Sequence, residues 1–190
     1  MTEPLPVWET VFYDFEFLED GHTIEPVSFG AITSGGSRLY LVNADLDERA
    51  VANHEFLGEH VWPFLPVRPC QPGCRCAQRG RGHLDRNHPD ARPLAQFRRT
   101  IDAFMQAAGP AELWADHAAY DHVCLAQGYG PMANLPAYMP RFTHDIQQEA
   151  ARLGIRDDEL PQPGPEGEHH ALHDAVLVYR RHQFLKGTAS

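Results

Sequence analysis

The chain has 190 residues, 43% of them hydrophobic, and a formal net charge of −10. That apolar content is enough for one globular domain with a real core and excludes a disordered chain. The negative balance excludes a protein that grips nucleic acid through a generally basic surface, but not an acidic site whose bound cations meet phosphates. No apolar run approaches the roughly 18 residues of a membrane span. The start, MTEPLPVWET, has neither the basic end nor the apolar stretch of a secretory signal. A soluble, cytoplasmic protein with no membrane partner is expected.

The first element is VFYDFEFLEDG, residues 11–21. Its β-branched and aromatic residues favour a largely buried strand, yet Asp14 and Glu16 sit in its middle. EDGH (19–22) is a turn signal. IEPVSFGAIT (24–33) and RLYLVN (38–43) read as the next strands, linked by SGGS (34–37), and the three predict an antiparallel meander. Residues 47–62 predict a helix on the spacing of Ala50, Val51, Phe56, Leu57 and Val61. Residues 63–93, rich in Pro, Gly, Cys and Arg, break the pattern and read as an irregular insertion. A helix is expected over 94–109, a short strand over 111–115 and a helix over 118–130. Asp145 with Gln148 three residues on is a capping-box arrangement that opens a helix over 145–154. After a Pro- and Gly-rich loop at 160–167, residues 169–185 form the last helix. The order predicts a single α/β domain over residues 1–190, a mixed sheet with helices packed around it.

The acids in the first strand carry the functional argument. Asp14 and Glu16 are two residues apart, so they share one face of the strand. Such close carboxylates repel unless a cation lies between them. Asp121 in AAYDHVCL, and His169 with Asp174 in HHALHDA, supply further ligands. His169 and Asp174 stand about 140° apart on an ideal helix, so they converge only if His169 lies on the lead-in to the helix. Four hard oxygen donors suit Mg²⁺ or Mn²⁺ rather than Zn²⁺. A neighbouring histidine suits a general base for water, and a pair of ions suits phosphoryl displacement. The pattern predicts metal-assisted phosphodiester hydrolysis. Asp116 competes with Asp121, and His170 with His169, for these roles. His122 and His173 are expected to be supporting or surface groups, and Trp114 a core residue. Phe15, Phe17 and Glu19 are candidate substrate contacts; for Phe15 core packing, and for Glu19 a solvated turn, are the alternatives.

Taken together, D-x-E (Asp14, Glu16), the acid opening an apolar helix (Asp121) and H-x-x-x-x-D (His169, Asp174) resemble the motifs of the DEDDh-type 3′–5′ exonucleases of the ribonuclease H-like superfamily. YDFEFLEDGHTIEPVSFGAI, LWADHAAYDHVCL and GPMANLPAYMPRFTHDIQQ are in turn similar to the actinobacterial polyadenylate-specific exoribonuclease family, RNase AS. The resemblance implies a ribonuclease H-like sheet, an antiparallel meander followed by parallel strands. It implies a homodimer that uses two Mg²⁺ or Mn²⁺ ions to remove nucleotides from RNA 3′ ends, with a preference for adenosine. Asp14, Glu16 and Asp174 would hold one ion, Asp14 and Asp121 the other, and His169 would take the proton from water. The chain departs from the wider exonuclease group at His117, where an Asn usually stands four residues before the second-motif Asp.

The insertion contains CQPGCRCAQRGRGHLDRNH, residues 70–88. Cys70, Cys74 and Cys76 with His83 or His88 offer a tetrahedral Zn²⁺ site, although C-x3-C-x-C is not a common finger spacing. Free thiols on an exposed loop are the alternative. Arg residues in the same stretch suit RNA phosphates. Cys124 reads as a small buried hydrophobe. A general oligonucleotide or DNA exonuclease is the alternative within the same chemistry. A non-catalytic nucleic-acid-binding module built on the zinc loop, or a zinc hydrolase, would be the alternative outside it.

Overall fold

The computed structural model of the protein describes residues 9–74, 81–165 and 167–188. The meander is present: β1 (Thr10–Glu19), β2 (Ile24–Thr33) and β3 (Arg38–Asn43) pair antiparallel in sequence order. α1 (Glu48–Asn53) follows, then the ribbon strands β4 (Val67–Arg68) and β5 (His83–Leu84), then β6 (Ala91–Arg92). α2 (Leu94–Ala108), β7 (Glu112–Ala115), α3 (Ala119–Gln127), β8 (His144–Asp145), α4 (Ile146–Leu153) and α5 (Ala171–Thr188) complete the described chain. The main sheet runs β6-β3-β2-β1-β7-β8, with β6, β7 and β8 added in parallel.

Alternation along β1 sorts its residues onto two faces. Val11, Tyr13 and Phe15 enter a core with Phe97, Ile101 and Met105 of α2 and Cys124 and Leu125 of α3. Phe12, on the other face, packs with Ile146 of α4 and Val178 and Leu185 of α5. The sheet therefore lies between two helical layers, an α/β fold. Trp114 and Cys124 are buried, as expected. Among the described residues, no helix is long and apolar enough to cross a membrane.

Three expectations needed correction. The helix over 47–62 stops at Asn53 and resumes as a wide π turn over Leu57–Val61 and a tight 3-10 turn over Trp62–Phe64. Val51 and Ala52 are buried, then residues 53–56 are all exposed before Leu57, Val61 and Trp62 reach the core. A continuous helix cannot keep one face inward across that gap. The irregular insertion contains the β4–β5 ribbon, and its end supplies β6 to the sheet edge. β8, two residues long, lay just ahead of the helix expected at 145.

Candidate active site

The site forms where β1 outruns a neighbour. β7 pairs only with Thr10, Val11 and Phe12, so further along β1 no β7 backbone faces the strand. Asp121, in the first turn of α3, fills that place: its Oδ1 accepts the Phe15 N–H at 2.8 Å. α3 is held in turn by Asp145. One Asp145 oxygen caps α4 through Gln147 and Gln148 N–H, and the other accepts the Ala118 N–H at 2.7 Å. Asp14 and Glu16 lie on the β1 face that turns towards α5.

α5 reaches that face because Gly30, opposite Asp14 in β2, has no side chain. A Cβ there would stand 2.2 Å from the backbone of Ala171 and Leu172. His169 precedes α5 with φ of 70°, a left-handed conformation that costs a non-glycine residue energy. Its N–H donates to Asp174 Oδ2 at 2.7 Å, which joins the two residues across their five-residue offset. Donor atoms of Glu16, His169 and Asp174 all lie within 4.8 Å of one another. These three and Asp14 and Asp121 line one cleft of about 430 Å³. The structure thus brings together all five residues singled out by the motifs.

Electrostatics in the cleft oppose ionisation. Burial, then the nearby carboxylates, raise Asp14 well above the ordinary carboxylate range. Burial and Asp174 push Glu16 up to about 8. Burial pushes Asp121 up to about 7 against the opposing bond from Phe15 N–H. Burial pushes Asp174 up to about 6, and the His169 N–H bond works against it. Burial lowers His169, so the imidazole favours its neutral form. Its ring packs edge-on against Phe56 at 4.9 Å and near His60 at 5.6 Å.

The competitors have other partners. Asp116 forms an ion pair with buried Arg181 of α5 and accepts from Gln147 Nε2 at 2.9 Å. His170 stacks between Tyr40 and His173, at 4.2 and 4.1 Å. His122 bonds Thr143 at 2.8 Å. His117 lines the cleft with φ of 52°; Asn and His are among the residues enriched at such angles. Phe15 is buried against Phe29, with ring centroids 4.7 Å apart. Phe17 lines the cleft and stacks on Tyr120 at 5.9 Å and 13°. Glu19 instead holds the β1–β2 turn, accepting the Gly21 N–H at 2.7 Å. Tyr120 and Phe56 are cleft residues that the sequence reading missed. Tyr120 adjoins Asp121 and is 56% exposed in the structure. A second, more apolar cavity of about 370 Å³ lies across β1, between α2 and α3, away from the acids.

In the insertion, Cys70, Cys74 and His83 bring their donor atoms within 4.8 Å of one another. His88 lies apart, with its Nδ1 3.5 Å from Asp90. Cys76 lies outside the described residues.

No protein-family model matches the chain. It is 35% identical over 179 residues to the 3′–5′ exoribonucleases MT2234.1 and Rv2179c of two Mycobacterium tuberculosis strains, CDC 1551 and H37Rv. The match covers 93% of this chain and 93% of each relative. With likeness of that extent, and with the motif residues gathered in one cleft, the chain belongs to the family of these 3′–5′ exoribonucleases.

Proposed function

We propose that this enzyme removes nucleotides one at a time from RNA 3′ ends by metal-assisted hydrolysis, with a preference for adenosine. The observation that carries the reading is the convergence of Asp14, Glu16, Asp121, Asp174 and His169 on one cleft. Four carboxylates that burial and mutual repulsion drive towards protonation fit a site built for divalent cations. Their hard oxygens suit Mg²⁺ or Mn²⁺. Asp14, Glu16 and Asp174 would hold one ion, and Asp14 with Asp121 a second. When bound, such ions supply charge stabilisation at the phosphoryl oxygens and a more acidic water.

The protein's own groups do the rest. His169 receives the proton from the attacking water at Nδ1, the nitrogen that faces the carboxylates, 4.0 Å from Glu16 Oε1. The water oxygen bonds to phosphorus as the P–O3′ bond breaks, and the departing 3′ oxygen takes a proton from solvent. A nucleoside 5′-monophosphate departs, and the shortened RNA keeps a 3′-hydroxyl. Phe17 and Tyr120 offer aromatic surface to the terminal base. The preference for adenosine, the ribonuclease H-like superfamily and a homodimeric state rest on the sequence resemblance to polyadenylate-specific enzymes.

Timed digestion of 3′-extended RNAs and matched DNAs with different terminal bases, with and without divalent cation, tests the reading. The expected result is a ladder shortening from the 3′ end, fastest on adenosine tails, abolished by EDTA. Cleavage that persists in EDTA, or equal turnover of DNA, would overturn it.

A further inference from the structure

We propose that Cys70, Cys74 and His83 bind a structural Zn²⁺ ion that fastens the insertion to the wall of the active-site cleft. This metal is distinct from any ion held by the carboxylates, and the proposal does not depend on the exonuclease reading.

The donors are the soft and borderline type that zinc selects, two thiols and an imidazole. Cys74 Sγ stands 3.2 Å from His83 Nε2. Ligands about 2.0–2.3 Å from a shared tetrahedral ion stand at nearly that separation. The three supply three of the four positions of such an ion. The second observation is the far side of the imidazole. His83 Nδ1 meets Glu48 Oε1 of α1 at 2.8 Å. A carboxylate on the remote nitrogen fixes the tautomer and aims Nε2 at the thiols, as it does for histidines that ligate zinc. Arg86 approaches the other Glu48 oxygen at 3.4 Å.

The surroundings give the ion a task. His83 lies in β5 opposite Arg68 of β4, and Cys70 lies two residues past β4, so the site sits at the end of a two-residue ribbon where the connecting segment leaves it. A ribbon that short is not stable alone. Glu48 ties it to α1, and Trp62 Nε1 donates to the Arg81 carbonyl at 2.8 Å. Trp62 closes the segment whose Phe56 and His60 pack around His169.

The full chain, purified under reducing conditions and dialysed against Mg²⁺, is expected to retain about one zinc per chain by elemental analysis. Cobalt exchanged into it should give thiolate-to-metal charge-transfer bands, which the carboxylate site cannot produce. C74S and H83Q should lose both the zinc and the bands, whereas C124S and D14N keep them. Stripping the zinc should lower the melting temperature by several degrees, and zinc alone should restore it. A zinc-supplemented wild-type protein that holds no stoichiometric metal, or cobalt bands that survive in C74S, would overturn the proposal. The wild-type measurements decide it even if a variant fails to fold.

Discussion

Asp121 does two things with one carboxylate. Its charge belongs to the cleft, and its Oδ1 holds the Phe15 N–H where β7 has ended. The two contributions separate by substitution. Asp121→Asn keeps an acceptor and loses the charge, so it should fold normally yet lose about 10³-fold or more in turnover. Asp121→Ala also strands a buried N–H and should cost a further 1–3 kcal/mol, roughly, in denaturant unfolding. His169→Ala should slow cleavage by about 10²–10⁴-fold and leave Mn²⁺ binding by calorimetry intact. Because burial lowers His169, the acid limb of the wild-type pH–rate profile should lie below about pH 6.5, the ordinary histidine value. Asp14 and Glu16 were legible because acids are costly within an apolar strand, and Asp121, His169 and Asp174 through the motifs they share with the exonuclease family. Tyr120 was not, because an aromatic beside a motif acid carries no periodicity that separates cleft from core.

Helix placement rests on small local choices. At Gly30, α5 meets the sheet backbone so closely that no Cβ fits. Gly30→Ala should push the start of α5 outward, carry His169 and Asp174 away from Glu16, and destabilise by about 1–3 kcal/mol. Activity should fall further than stability, since about 1 Å of misplacement can cost 10²-fold in rate; parallel melts and digestions would read both. The long elements of the meander and α2 were legible from their period. The broken helix after residue 53 was not, because Phe56 looked like a core position and instead faces His169. β6 and β8 are two residues each, too short to show any alternation.

Across the whole molecule, the cleft stores electrostatic cost. Glu16, Asp121 and Asp174 rise to about 8, 7 and 6 from ordinary values near 4. In the metal-free folded chain these carboxylates therefore hold more protons than in the unfolded chain between about pH 4 and 8, and their contribution to stability falls as pH rises through that window, while His122, His169, His170 and His182, which burial lowers, work the other way below about pH 6.5. EDTA-treated protein should melt higher at pH 6.5, where the histidines are largely spent, than at pH 8. Saturating Mg²⁺ or Mn²⁺ should flatten that slope and raise the pH 8 melting temperature by about 5–10 °C at 100-fold excess over Kd. A metal-free melting temperature that climbs towards pH 8 would contradict the raised carboxylates. The α/β class followed from the order of strands and helices. The merging of the insertion into the sheet edge did not, because pairing between distant two-residue segments leaves no mark in local sequence.

The length of β7 has a final implication. By stopping at Ala115 it leaves a notch in the sheet, and a side chain rather than a backbone closes it. Two more paired residues there would seal the opening before any reactive group had been altered. The place where these acids gather in this chain is therefore decided first by where a strand ends, and only afterwards by which acids surround the vacancy.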